Sequence, residues 1–222
     1  MQTRKSIPGL PYHIVQCGND SKHCFIEAED YEYYLDLWKT TAVRYGVKVH
    51  AYCLMTNHID FLVTPETESA ISNLMDVISN RYKQHISSNR DRAENYCDSH
   101  HQLSLVQSDT YLLKCMLYID LNPVREAMVD KPERYSWSSY AVNTGDEQSW
   151  LTPHVEYLRL GSTPTERQYS YRELFKHQLS DVDLNLIRNA THYCQPIGSE
   201  RFKRFIEEKY SAKQDKDRLE IT

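Results

Sequence analysis

Two segments of alternating apolar and polar residues meet in the stretch Val47-Lys-Val-His-Ala-Tyr-Cys-Leu-Met-Thr-Asn-His-Ile-Asp-Phe-Leu-Val63. Alternation of this kind is typical of β-strands, whose successive side chains point to opposite faces. The polar pair Thr56-Asn57 between the segments predicts a tight connection. We therefore expect residues 47–55 and 58–63 to pair as antiparallel strands.

The segments around this hairpin alternate in type. Asp30 is a candidate N-cap for a helix that ends at Tyr45, and Gly46 follows where glycine closes helices. Asn122 precedes Pro123, which disfavours continued helix. The other predicted elements are strands at 12–16 and 103–106 and helices at 69–88 and 108–121. The order β-α-β-β-α-β with a further helix predicts an α+β fold with a ferredoxin-like antiparallel sheet and packed helices.

A polar stretch, Asn143-Thr-Gly-Asp-Glu-Gln-Ser149, predicts a boundary between structural units. It separates a first domain, residues 1–142, from a helical C-terminal region, residues 150–222. We expect helices at 170–178, 181–193 and 199–211. The last two surround a Pro/Gly turn, which makes the C-terminal extension a candidate DNA-binding module.

The composition restricts the function. The 222 residues carry 26 Lys+Arg and 31 Asp+Glu, a net charge of −5. Residues 1–150 contribute 14 − 20 = −6 and residues 151–222 contribute 12 − 11 = +1. This acidic balance weighs against a strongly basic nucleic-acid binder. No apolar leader or membrane-spanning run occurs, and six scattered cysteines lack a CxxC pair, so we expect a cytoplasmic protein with reduced thiols and no membrane partner.

The second strand of the hairpin carries two polar residues of interest. His58 and Asp60 lie on one face, and Ile59, Phe61 and Val63 lie on the other, toward a core. An imidazole and a carboxylate on one exposed strand face can hold a divalent cation. The alternative is a solvated sheet face with two polar residues.

The predicted helix 108–121 brings Lys114, Tyr118 and Asn122 to one face, because residues four apart are neighbours on a helix. A tyrosine beside a bound cation can attack a phosphodiester and form a phosphotyrosine. The alternative is a half-buried tyrosine that anchors the helix.

Several ordered motifs carry a family resemblance. They are Pro8-Gly-Leu-Pro-Tyr-His-Ile-Val-Gln-Cys-Gly-Asn19, His50-Ala-Tyr-Cys-Leu-Met-Thr-Asn-His-Ile-Asp60, Leu105-Val-Gln-Ser-Asp109, Tyr118-Ile-Asp-Leu-Asn-Pro-Val-Arg125 and Tyr135-Ser-Trp-Ser-Ser-Tyr140. With these motifs, residues 7–140 resemble the REP-associated tyrosine transposases, relatives of the IS200-like single-strand transposases of the HUH type.

The resemblance implies a transposase that binds a single-stranded DNA hairpin and cleaves it through a 5′-phosphotyrosine. It makes Tyr118 the nucleophile and His58, Asp60 and Asn122 the ligands of Mg²⁺ or Mn²⁺, with Asp60 where the family has its second histidine. Relatives occur as monomers and as homodimers. The candidate DNA contacts are Lys114, Arg125, Arg188, Arg201, Lys203 and Arg204. The alternative for the four C-terminal residues is a solvated helix face. The alternative for Arg125 is an ion pair with Glu126 or in the neighbourhood of Asp120.

Departures from the family pattern keep a second function open. Besides Asp60, Cys17 stands where the family has an arginine, and His100 and Gln102 stand where it has Arg and Lys. The alternative function is therefore a catalytically impaired DNA-binding descendant. A third, a protein-interaction module, depends only on the acidity.

Overall fold

A four-stranded antiparallel sheet in the order β2-β3-β1-β4 forms the centre of the molecule. The structure is a computed structural model, and it describes residues 5–17, 23–87, 101–145, 149–177 and 179–219. The strands are β1 (Tyr12–Cys17), β2 (Val47–Leu54), β3 (His58–Pro65) and β4 (His101–Leu105). The predicted hairpin is confirmed, since β2 and β3 pair antiparallel. The strand order is that of a ferredoxin-like sheet.

Two long helices, α1 (Ala28–Tyr45) and α2 (Ala70–Ser87), pack against each other on one side of the sheet. Gly46 ends α1 in the left-handed conformation at φ 64°, as predicted. The predicted N-cap at Asp30 was wrong. Glu27 is the N-cap, and Asp30 is the third helical residue, whose buried carboxylate accepts hydrogen bonds from the backbone N–H groups of Ile26 and Glu27.

The apolar residues of β3 divide between two cores. Ile59, Phe61 and Val63 face α1 and α2, as predicted, and the Trp38 ring stacks on Phe61 at 3.6 Å between ring centroids. Leu62 points to the opposite face, into a second core. The sheet is therefore buried on both sides, and the prediction that His58 and Asp60 lie on an exposed face was wrong. Asp60 is only 1% exposed.

Helices from the middle and the end of the chain cover this second face. Contacts join α3 (Ser108–Asp120) to β2 and β3, and α8 (Asp181–His192) to β4 and β1. A short helix, α4 (Asn122–Arg125), follows α3 almost directly. The predicted interruption before Pro123 is thus a single residue between two helices, because proline is tolerated in a first turn.

The remaining described elements are short or C-terminal. They are a 3₁₀ turn at Pro132–Arg134 and the helices α5 (Tyr140–Thr144), α6 (Val155–Leu158), α7 (Pro164–Leu174) and α9 (Glu200–Leu219). Within the described ranges no helix has the length and apolarity that crossing a bilayer requires. The predicted boundary includes residues 146–148, and His100 belongs to 88–100; both segments lie outside the described residues.

Candidate active site

The junction of α3 and α4 carries the predicted nucleophile. Tyr118 lies in the last turn of α3, and Asn122 begins α4 one helical turn later. Arg125, at the end of α4, turns back on this junction, and its Nη2 donates hydrogen bonds to the Tyr118 carbonyl oxygen, at 2.7 Å, and to Asn122 Oδ1. The guanidinium carbon lies 4.0 Å from the centre of the Tyr118 ring. This short segment therefore places a phenol, an amide and a cation together.

Asp60 of β3 lies beneath this junction as the centre of a buried hydrogen-bond network. Its Oδ1 accepts from His13 Nε2 at 2.7 Å, and its Oδ2 accepts from Asn122 Nδ2 at 2.6 Å. His58 Nε2 lies 3.3 Å from the same Oδ2. A buried carboxylate is costly without partners, and here both oxygens have them.

These contacts set the pKa values of Asp60 and His58, and so the charges in this network. Burial alone would raise the pKa of Asp60, but the hydrogen bonds from His13 and His58 outweigh it and hold that pKa far below its usual range. Burial would lower the pKa of His58, but the hydrogen bond and charge of Asp60 raise it overall. Asp60 is therefore a carboxylate whose charge is balanced inside the protein.

Tyr118 is a protonated phenol in this environment. Burial and the nearby Asp60 charge raise its pKa, and the guanidinium groups of Arg125 and Arg188 oppose the rise. Arg188 lies on α8, close enough to the phenol to lower its pKa. Two arginines thus flank the phenol, one from the α3–α4 segment and one from the C-terminal region.

His13 is a site residue that the sequence analysis missed. It is fully buried on β1, and its Nδ1 lies 3.2 Å from Thr191 Oγ1 on α8, opposite its bond to Asp60. Alternation along β1 was the available signal, because Tyr12 and Ile14 face the first core and His13 faces the other way. The partner across the sheet was not evident, since His13 pairs with Leu62 and reaches Asp60 diagonally.

The three predicted metal ligands come together, but their arrangement does not fit a metal ion. The Asp60 oxygens accept hydrogen bonds, and Asn122 presents its Oδ1, the metal-binding atom of an amide, to Arg125. A metal ion needs lone pairs from several ligands that point to one position. The lone pairs of these oxygens instead accept hydrogen bonds from neighbouring side chains. Among the described residues, no group of three His, Cys, Asp or Glu side chains is placed to hold a metal.

The six predicted DNA contacts divide into separate places. Arg125 and Arg188 lie at Tyr118, whereas Lys114 forms an ion pair with Asp183 of α8 at 2.7 Å. Arg201, Lys203 and Arg204 lie on α9, which contributes Phe202 and Ile206 to the first core, while α8 packs in the second core. Arg201 and Arg204 are exposed, and Lys203 pairs with Glu200. Their binding to DNA stays a prediction.

Comparison with known proteins shows what the chain is similar to. Residues 6–104 match the family model described as "Transposase IS200 like". This part of the chain is therefore similar to the IS200-like transposases. A solved structure of a REP-associated tyrosine transposase bound to a REP hairpin is similar over 64% of this chain and 84% of that chain, with a TM-score of 0.54 and 14% sequence identity. Comparison with curated proteins found no match.

The family match and the structural similarity confirm the predicted resemblance and the α+β fold. At 14% identity, the solved structure is evidence for the fold alone. The family match covers β1 to β4 and ends before α3, so Tyr118, Asn122 and Arg125 lie beyond it. Their roles are argued from the geometry around Tyr118.

Proposed function

We propose that this transposase-like protein binds single-stranded hairpin DNA and cleaves and rejoins it through Tyr118. The observation that carries the proposal is the placement of Tyr118 between Arg125 and Arg188, behind the sheet of an IS200-like domain. A phosphodiester is an anion. A guanidinium group is a planar cation that can donate paired hydrogen bonds to phosphate oxygens, and two of them lie at this phenol. The solved relative's hairpin supports DNA of the same kind as the substrate.

In this reaction the Tyr118 oxygen forms a bond to phosphorus as the bond from phosphorus to the 3′ oxygen breaks. The products are a 5′-phosphotyrosine and a 3′-hydroxyl. The phenolic proton leaves and the 3′ oxygen gains one, so the step is balanced, and attack by the 3′-hydroxyl in the reverse direction rejoins the strand. The resemblance predicts Mg²⁺ or Mn²⁺, but the site residues do not fit a metal, and the proposal contains no metal-dependent step.

The test is the formation of a covalent protein–DNA adduct on single-stranded hairpin oligonucleotides, separated under denaturing conditions. We expect adduct with the wild-type chain and none with Tyr118→Phe. Tyr111→Phe is the matched control, because Tyr111 lies on the same helix two turns earlier, beside Lys114 and away from Asp60. If the wild-type chain and Tyr118→Phe formed equal amounts of adduct across the oligonucleotide library, cleavage through Tyr118 would be refuted.

The second candidate is a DNA-binding protein that has lost cleavage. Asp60 favours it, because the hydrogen bonds of that carboxylate are already complete within the protein. This candidate predicts salt-dependent binding of single-stranded DNA without adduct. It also predicts that Asp60→His gains metal-dependent cleavage, whereas an active wild-type site gains little from that substitution.

A further inference from the structure

One donor beside Tyr118 is buried and unused. Arg125 makes its hydrogen bonds through Nη2, whereas Nη1 is buried and has no hydrogen-bond partner among the described residues. Buried guanidinium N–H groups are almost always paired, because leaving a charged donor unsatisfied is costly. An orphan donor of this kind at a candidate nucleophile indicates a ligand that is present only during function.

The chemistry of the donor identifies the class of that ligand. A guanidinium carries only donors, so its ligand must supply acceptor oxygens, and Arg favours the paired oxygens of carboxylates and phosphates. The guanidinium lies over the Tyr118 ring at 4.0 Å, and its backbone and side-chain bonds to Tyr118 and Asn122 hold it there. The guanidinium is therefore oriented before substrate arrives, and a phosphate oxygen reaches the buried Nη1 when the groups that cover it move aside.

Arg125 also occupies the position of a competing cation. It bonds Asn122 Oδ1, and its charge interacts with Asp60, which are two of the three predicted metal ligands. A divalent ion at these two side chains would have to displace the guanidinium or lie beside it, with strong repulsion between the two cations. The guanidinium and a metal are therefore alternatives at this site.

We propose that Arg125 takes the place of the divalent metal: it binds a non-bridging oxygen of the scissile phosphate, so that Tyr118 cleaves DNA without a metal ion. This inference rests on the proposed function. Arg125 remains protonated throughout. The bonds that form and break are those already described, and Arg125 Nη1 donates to the phosphate oxygen whose negative charge grows in the transition state.

The test measures adduct formation in EDTA, in Mg²⁺ and in Mn²⁺, using a hairpin oligonucleotide that reacts with the wild-type chain. We expect equal yields in all three. Arg125→Gln and Arg125→Lys should each lower the adduct rate by about 100-fold or more, since a lysine lacks the fork that reaches both Asn122 and the phosphate. Arg134→Gln is the matched control, because Arg134 is exposed and pairs with Asp130.

A second measurement does not depend on folding of the variants. Electron paramagnetic resonance of Mn²⁺ with the wild-type chain should show no binding at His58, Asp60 and Asn122. Adduct that requires Mn²⁺, or a rate for folded Arg125→Lys within threefold of wild type, would overturn the inference alone. Absence of adduct under every condition would overturn strand cleavage itself and the inference with it.

Discussion

The buried carboxyl of Asp120, at the end of α3, makes stability depend on pH in a way that one substitution reveals. Asp120 is fully buried, and it accepts hydrogen bonds from Ser139 Oγ at 2.6 Å and Tyr171 Oη at 2.8 Å. No ion pair to a cation is found for it among the described residues. Burial therefore raises its pKa from 3.8 to about 7, although both hydroxyl groups act against the rise.

The direction of the pH dependence of stability follows from the pKa of Asp120 in the folded and unfolded states. The folded protein keeps the Asp120 proton up to about pH 7, whereas the unfolded chain loses it near pH 3.8. The stability that this group contributes is fully present below pH 3.8 and is lost as pH rises through 7. The interval between the two values corresponds to about 4 kcal/mol, at about 1.4 kcal/mol per pH unit.

Asp120→Asn removes this titration, because the amide stays neutral in both states. In chemical denaturation between pH 4.5 and 8, we expect the free energy of unfolding of Asp120→Asn, minus that of wild type, to increase by about 3–4 kcal/mol with rising pH. Tyr171→Phe is the matched control: it keeps the carboxyl but removes a hydrogen bond that lowers its pKa, so its titration should move to higher pH. A difference between Asp120→Asn and wild type that stays constant over this range would refute a buried, titrating carboxyl.

Three further predictions follow from other buried polar groups and from one turn. Burial lowers the pKa of His50 from 6.5 to about 4, so the folded protein should lose about 3 kcal/mol of stability as pH falls through this interval. His50→Gln should abolish that loss in acid denaturation experiments. His13→Gln should destabilise the fold by about 3 kcal/mol in urea, because it disturbs the pairing of the buried Asp60 carboxylate, whereas Thr191→Val should cost only about 1 kcal/mol. Gly46→Ala should lower the melting temperature, at a cost of about 1–2 kcal/mol, because φ is 64° and the new Cβ would lie 2.8 Å from Glu66 Oε2. The respective prediction would be contradicted if His50→Gln kept the loss of stability in acid, or if His13→Gln or Gly46→Ala were as stable as the wild-type chain.

The profile of the wild-type chain alone would conceal the first two effects. Between pH 4 and about 6.5, Asp120 favours the folded state more at the acidic end and His50 more at the neutral end. Their contributions therefore oppose each other over most of this interval. Single variants separate the two groups, because each removes one titration and leaves the other.

Periodic patterns allowed most of the fold to be predicted. Alternation along residues 47–63 identified two strands and their antiparallel pairing, and Gly46 identified the end of α1. Asp30 was misassigned because a carboxylate that caps a helix and one at the third helical position give similar sequences. Alternation could assign Asp60 to a face but not reveal that α3 and α8 bury that face, since burial depends on contacts far apart in the sequence.

The site was predictable where spacing along one element determines it. Tyr118 and Asn122 are one turn apart, and helix geometry brings them together with Asp60 below. His13 was missed because its contact with Asp60 depends on the register of β1 against β3. Arg125 was expected to contact DNA or a neighbouring carboxylate, and its inward turn toward Tyr118 follows from α4, which begins where the proline signal predicted only an end.

The charge of the chain bears on DNA binding only through where the cations lie. The first 150 residues carry −6, yet the described groups near Tyr118 include two arginines, and the carboxylate of Asp60 has its hydrogen bonds within the protein. Arg125 precedes the predicted boundary at 143–149 and Arg188 follows it, as does Thr191, which contacts His13. Residues from both sides of that boundary build one site. A fragment that ends at residue 142 would keep Tyr118 but lose Arg188 and the Thr191 hydroxyl beside His13, so the cleavage proposed here requires the C-terminal region.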